Sequence, residues 1–383
     1  MGASSERHSP AILFAVTEDW YFWSHRKPLA DYLRKQGCAI AIATRFNQHE
    51  TRLSKAGFQC IALPFERSLA YPLRDLRAAF GLWLIVRRLR PDVVHLVSLK
   101  PILLSSFTLA VRRRTRFVAA FTGMGYLFSS RDRRARWFQR GVVTVLRMAL
   151  RRSNVSIVVQ NAEDRALLET EGLGVPERTI LIPGVGVDIE TFAFAEVTIA
   201  EAPLVVLPAR LIRDKGVEEF VAAARIVKQA RPETRMVLVG AADPDNPAAI
   251  PPAVIDAWAK EGVVEWWGHR QDMPAVYREA QLVCLPSYRE GLPKVLMEAA
   301  ACGRPLVASD VAGCREVCRD GVNGTLVPPR SPEALAAAIV RLLESPDTQR
   351  SYGLAGREIV EREYSVEQIG QETLACYRQI LTV

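Results

Sequence analysis

The sequence predicts an α/β fold of two Rossmann-like domains, each a parallel, doubly wound sheet. Three observations carry this expectation. Short, wholly apolar runs alternate with helix-length or loop-length stretches from one end of the chain to the other. The pattern gives way to irregular sequence near residues 190–202 and then begins again. At 383 residues, 49% hydrophobic and 24% charged, the chain is long and apolar enough to bury two cores.

Taken in order, AILFAV (11–16), CAIAIAT (38–44), FQCIAL (58–63), DVVHLV (92–97), TRFVAAF (115–121) and NVSIVVQ (154–160) read as buried strands of a first domain, residues 1–190. LVVLPA (204–209), RMVLVG (235–240), GVVEWWG (262–268), AQLVCLPS (280–287), RPLVAS (304–309) and GTLVPP (324–329) read as those of a second, residues 203–360. Apolar runs this short and continuous suit strands covered on both faces. The tail from Ser331 is helical by periodicity, and residues 361–383 are expected to return and brace the first domain. Two such sheets are expected to face a ligand cleft with the carboxyl ends of their strands.

Composition narrows the class. No run of about eighteen apolar residues is free of charge, which argues against a membrane-spanning helix. The start MGASSERHSP has neither the apolar core nor the cleavage site of a secretory leader, so a cytoplasmic location is expected. Ser5 falls one place short of the acylation pattern that Gly2 would begin. The cysteines at 38, 60, 284, 302, 314, 318 and 376 are odd in number and scattered, which reads as reduced thiols.

The net charge of +8 is unevenly placed. Residues 1–190 hold 29 lysines and arginines against 16 acidic residues, while the remainder holds 21 against 26. Within the first half, Arg67 to Arg152 carries 19 basic and 3 acidic residues, with VRRRTR (111–116) and SRDRRARWFQR (130–140) interleaved with Trp83, Trp137 and Phe138. Such a surface is built to meet anions. Nucleic acid, an anionic membrane leaflet and a diphosphate-lipid are all candidates, and aromatic residues beside arginines suit a headgroup interface. A solvated basic face is the bland alternative.

The chemistry is concentrated in PSYREGLPKVLMEAAACG, residues 286–303. A strand ends, a loop turns, and a helix is expected to begin near Leu292 or Pro293, with Gly291 permitting close backbone approach and the helix N-terminus offering free N–H groups to an anion. Counted along a helix, Glu290 and Glu298 lie about 12 Å and roughly 80° apart, so the two carboxylates reach different parts of one elongated ligand. A carboxylate accepts hydrogen bonds from paired hydroxyls, which suits a sugar and a ribose with a diphosphate between them. Upstream, PARLIRDKG (208–216) sets Arg210 at a strand's carboxyl end and Lys215 at the start of a helix, where both can neutralise a departing diphosphate without a metal.

With PS before Glu290, ACGRPLVASDVAGCREV after Glu298 and DGVNGTLVPP at 320–329, this set resembles the family 4 retaining glycosyltransferases of GT-B fold. In the first half, SHRKPLADYLRKQGCAIAIAT (24–44), DVVHLVSLKP (92–101), FTGMGYLF (121–128) and IPGVGVDIETF (182–192) are similar to the bacterial branch that builds capsule, O-antigen and N-glycan precursors on polyprenyl diphosphate carriers. The resemblance implies that Glu290 contacts the donor sugar and Glu298 the ribose, with Arg210 and Lys215 on the diphosphate. It implies further that Gly291 and Leu292 touch sugar or phosphate through their backbone, and that Trp267 to Arg270, with His269, flank the base. Where some relatives carry a histidine after the fifth strand, this sequence has Thr122 and Gly123. Retention in this fold is ascribed to front-face attack in which the leaving phosphate takes the acceptor proton, so no enzymatic base is demanded.

His25 and Arg26, at the first strand-to-helix turn, are candidate contacts to donor or acceptor, with helix-start polar residues as the plainer reading. His95, taken to end its strand, is a further candidate, with Lys100 beyond it; a structural histidine is the alternative. GMG at 123–125 is expected to form a tight loop near the acceptor. Asp243 and Asp245, in DPD, have the form of a metal pair, but they sit in a proline-rich loop whose turn chemistry explains them. No zinc spacing, Walker loop or nucleophile elbow is present, and no metal or cofactor is expected.

The sequence reading is therefore a metal-independent transferase using a UDP-sugar and a polyprenyl-diphosphate-linked acceptor, peripheral on the inner face of the cytoplasmic membrane. The alternatives are a nucleotide-sugar epimerase or hydrolase on the same fold, and a basic nucleic-acid-binding protein with an inactive cleft.

Overall fold

A computed structural model describes residues 9–66, 71–111, 114–123, 133–244 and 246–382, with the side chains of 110–111 and 133–139 outside that description. Trp137, Phe138, most of SRDRRARWFQR, Arg112 and Arg113, residues 124–125 of GMG, and Asp245 therefore lie outside the described residues or side chains. The chain divides into two compact units, residues 1–186 with 366–383, and residues 187–365.

The first unit is built on seven strands: β1 (Ala11–Glu18), β2 (Ala39–Arg45), β3 (Gln59–Ala62), β4 (Val93–Val97), β5 (Arg116–Ala120), β6 (Val155–Val159) and β7 (Thr179–Leu181). They pair in the order β3-β2-β1-β4-β5-β6-β7, all parallel. β1, β4, β5 and β6 are buried on both faces, which is why they read as unbroken apolar runs rather than as an alternation. Sequence reasoning missed β7, three residues at the sheet edge.

The second unit holds β8 (Leu204–Pro208), β9 (Arg235–Val239), β10 (Glu265–Trp266), β11 (Leu282–Leu285), β12 (Leu306–Ser309) and β13 (Gly324–Val327), parallel in the order β10-β9-β8-β11-β12-β13. GVVEWWG yields only the two residues of β10 as strand, because that edge pairs with β9 alone. The chain leaves the first unit after Gly186 and returns after Ser365, where the sequence put the joins near 190–202 and 361. The returning helix, Val366–Thr382, buries Ile369, Leu374, Tyr377 and Ile380 in one cluster with Leu29 and Leu33. That burial of apolar surface accounts for its place in the first unit.

In each sheet the strand order reverses once, between β1 and β4 in the first and between β8 and β11 in the second. The carboxyl ends of the strands at such a reversal leave a crevice between loops that depart in opposite directions, the usual ligand position in open α/β sheets.

Candidate functional site

The loops after β8 and β11 flank the reversal in the second unit, and they are locked together by backbone. Gly216 has φ +68°, and a Cβ there would sit 2.0 Å from the Pro286 carbonyl oxygen, so only glycine allows this approach. The Tyr288 N–H donates to the Asp214 carbonyl at 2.9 Å. Gly313 meets the same loop from the β12 side: a Cβ would lie 2.4 Å from the Gly291 carbonyl oxygen. This scaffold fixes the Ser287–Pro293 loop against the PARLIRDKG turn.

On it, Lys215 Nζ lies 2.5 Å from Glu290 Oε1. The two residues read from sequence as separate contacts to phosphate and sugar thus form one charge pair. Arg210 is turned to Asp243, with its guanidinium 2.6 Å from Oδ2. Half of the DPD motif is accordingly an arginine partner, which sequence spacing did not show.

The helix begins at Lys294, with Pro293 as its extended N-cap, one to two residues later than expected. Glu290 is therefore a loop residue, and the helical spacing of the two glutamates does not apply. Proline at the cap has no N–H to lose, and no side chain caps the turn. Glu298, two turns into the segment by sequence but in the second turn of the observed helix, is only 6% exposed. Its Oε2 accepts from the Tyr277 hydroxyl at 3.1 Å, and its Oε1 pairs with Lys294, one turn earlier. Burial and the adjacent carboxylate push the Tyr277 hydroxyl well above its usual range, so it remains a donor. Lys294 also lies 5.9 Å from the Phe192 ring centroid. Neither Tyr277 nor Lys294 was singled out from the sequence, although the i,i+4 spacing of Lys294 and Glu298 is a signal that could have paired them.

Around this core, Gly291 and Leu292 are half-buried in the loop, and Leu292 packs on the apolar cluster beneath. His269 is exposed. Arg270 forms a two-pronged pair with Asp272, at 2.7 and 2.6 Å, and stands 5.6 Å over the Trp267 ring. Ser287 and Ser309, which follow β11 and end β12, carry buried hydroxyls with no hydrogen-bond partner among the described residues.

The first unit holds the remaining candidates. Ser98, at the carboxyl end of β4, has φ +74°, a strained conformation for a residue with a Cβ, and its hydroxyl lies 2.9 Å from that of Thr122 after β5. Gly123 is exposed beside it. His25 lies in a turn of π-helix (Phe22–Arg26) that leads into the helix Lys27–Lys35; its ring stacks on Tyr21 at 4.4 Å, and Nδ1 is 2.7 Å from the Ser24 hydroxyl.

Three expectations are corrected. His95 is the middle residue of β4, not its end, and is 2% exposed. Its Nδ1 is hydrogen-bonded to the Tyr377 hydroxyl at 2.6 Å and its ring packs on Phe14. Burial and the nearby Arg26 guanidinium hold its imidazole well below the usual range, so it is a neutral core residue rather than a substrate contact. Arg26 is itself buried, and burial lowers its pKa. Lys100 does not reach toward ligand either; it pairs with Asp75 at 2.7 Å.

Comparison with known proteins agrees with this architecture. The family model described as Glycosyltransferase Family 4 matches residues 27–191, and the one described as Glycosyl transferases group 1 matches residues 202–345. The N,N'-diacetylbacillosaminyl-diphospho-undecaprenol alpha-1,3-N-acetylgalactosaminyltransferase of Campylobacter jejuni is 23% identical over 373 residues, 93% of this chain and 95% of that protein. The sucrose-phosphate synthase structure from Thermosynechococcus elongatus superimposes with a TM-score of 0.80 at 21% identity, covering 97% of this chain and 99% of that one. The Anabaena Alr3699/HepE structure in complex with UDP gives 0.77 at 19% identity, covering 96% and 100%.

Proposed function

Because the chain belongs to the family 4 glycosyltransferases of GT-B fold, we propose that it transfers a hexose or N-acetylhexosamine from a UDP-sugar to a polyprenyl-diphosphate-linked sugar, with retention of anomeric configuration. The observation that carries the reading is the gathering of Lys215, Glu290 and Glu298 on the loops and helix at the β8/β11 reversal. On binding, the diphosphate takes Lys215 from Glu290, and the freed carboxylate accepts hydrogen bonds from donor-sugar hydroxyls. Arg210 exchanges Asp243 for the same diphosphate. Glu298, held by Tyr277 and Lys294, receives the ribose hydroxyls.

In the transfer, the bond between the anomeric carbon and the diphosphate oxygen breaks, and the acceptor oxygen bonds to that carbon on the same face. The acceptor proton passes to the leaving phosphate, and UDP departs as an anion stabilised by Lys215 and Arg210. No metal is required by this scheme. The lipid-linked acceptor is supported by the name of the Campylobacter relative and by the basic first half of the chain; UDP is supported by the HepE complex.

The test incubates the protein with radiolabelled UDP-glucose, UDP-N-acetylglucosamine and UDP-N-acetylgalactosamine and a panel of polyprenyl-diphosphate-linked sugars. Label appearing in the organic phase, in a bond that keeps the donor's anomeric configuration, is expected. Label released only as free sugar would mean hydrolysis and would refute transfer.

A further inference from the structure

The helix Pro72–Leu89 is apolar on the wrong side as well as the right one. Its inner face sets Ala78, Leu82 and Val86 in the core of the first unit. At about 100° per residue, Leu73, Leu76, Phe80 and Leu84 fall within about 80° of arc on the opposite side. That side faces outward: Leu73 is 77% and Leu76 68% exposed, and Phe80 and Leu84 are also exposed. Phe107, exposed on the neighbouring helix Ser106–Val111, widens the stripe through Trp83, whose ring lies 6.3 Å from it and 5.4 Å from Phe80. A globular helix normally presents polar residues there.

The described charges exposed around the stripe are predominantly basic, although Arg74 is paired at 2.5 Å with the half-buried Glu66. Arg74, Arg77, Arg87 and Arg88 are exposed along it. The helix's sole acidic residue, Asp75, is buried and turned inward to Lys100, 2.7 Å away, so it offers no negative charge to the outside. Lys100 follows the strained Ser98 at the end of β4, and the Asp75–Lys100 pair therefore ties this helix to the β1/β4 reversal.

We propose that the outward face of Pro72–Leu89, with Phe107, docks into an anionic lipid leaflet, the aliphatic and aromatic side chains entering the acyl boundary and Arg77, Arg87 and Arg88 meeting lipid phosphates. The choice of a lipid rests on the reading of a lipid-linked acceptor, but the surface itself rests on exposure and charge. A second copy of the chain is disfavoured as occupant, because the self-apposed face would set arginines against arginines. Nucleic acid is disfavoured by the three leucines at the centre of the stripe, which have no stacking or hydrogen-bonding use there.

The test measures co-sedimentation of the full chain with vesicles of phosphatidylglycerol and phosphatidylethanolamine, and with phosphatidylcholine alone, beside the rise in Tm on adding UDP. The wild type is expected to bind the anionic vesicles, less at high salt, and to bind phosphatidylcholine weakly. Leu76→Glu with Phe80→Glu, and separately Arg77→Glu with Arg88→Glu, should lower vesicle binding ten-fold or more while leaving the Tm and the UDP response unchanged. Vesicle binding unaltered by Leu76→Glu with Phe80→Glu, or absent in the wild type at low salt, would overturn the surface. A concentration-dependent dimer dissolved by the same pair would also overturn it in favour of a second copy. Vesicle binding by a wild type that ignores UDP would uphold the surface and count against the donor reading instead.

Discussion

Lys215 Nζ and Glu290 Oε1 stand 2.5 Å apart, contributed by loops on either side of the β8/β11 reversal. Without a ligand, each satisfies the other. In the proposed reaction this pair would hold a cation for the leaving group and a carboxylate for the sugar, and donor binding would be an exchange of partners rather than the burial of two free charges.

Two substitutions follow from that exchange. In the proposed transfer Lys215→Ala removes the cation facing charge that develops at the diphosphate, and should lower kcat by about 10²–10³-fold with a smaller effect on donor KM. Glu290→Gln keeps the size and some hydrogen bonding but releases Lys215, and should raise donor KM more than Lys215→Ala does. Steady-state kinetics on the two variants separate the roles; equal losses in both parameters for both would contradict them.

Glu298 has a structural share as well. Glu298→Ala leaves the buried Tyr277 hydroxyl and the Lys294 ammonium without their partner, and should cost about 1–3 kcal/mol of stability. Glu298→Gln still accepts from Tyr277 and should cost less. Urea unfolding of the two variants checks the order.

His95 predicts a pH effect on stability. Its folded pKa is depressed by burial and by Arg26, so the unfolded state binds the proton first. The stabilisation is present above the unfolded value of about 6.5 and is lost as pH falls below it, at no more than about 1.4 kcal/mol per pH unit. Comparing His95→Gln with wild type between pH 7.5 and 5, the wild type should lose stability relative to the variant as the pH drops. A constant difference across that range would contradict a buried neutral imidazole.

The thiols give a further check on the packing. Cys38, Cys284, Cys302, Cys314, Cys318 and Cys376 are buried, and Cys60 is partly exposed. Burial raises all seven pKa values, Cys302 and Cys376 to about 11. Titration with a thiol reagent at pH 8 should find one slowly reacting thiol in the native protein, lost in Cys60→Ser, and seven in denaturant.

The central strands were legible because parallel strands buried on both faces must be apolar throughout, and each predicted run overlaps a strand of the observed sheets. β7 was not, since three edge residues carry too little pattern to separate from a loop. At the site, Glu290, Glu298, Arg210 and Lys215 were singled out through motif spacing and resemblance, but the pairing of Lys215 with Glu290 and the roles of Asp243, Tyr277 and Lys294 as partners were not. Asp243 is 33 residues from Arg210, and Tyr277 is 21 from Glu298, distances that only the sheet order brings together. His95 misled for the opposite reason: a histidine near a strand end reads as a ligand contact until the returning helix supplies Tyr377, 282 residues later, as its partner. The outward stripe on Pro72–Leu89 was hidden too, because apolar residues on both sides of a helix read from sequence simply as core.

The most direct measurement is the Tm of the wild type and of Glu298→Ala with UDP, GDP and ADP in parallel. A nucleotide at a hundred times its Kd stabilises by about 2.7 kcal/mol, a rise of several degrees. UDP alone should produce that rise in the wild type, and Glu298→Ala, folded but with a lower starting Tm, should show none. An equal UDP response in both proteins, or no response in the wild type, would contradict a uridine nucleotide held through Glu298 at the β8/β11 reversal.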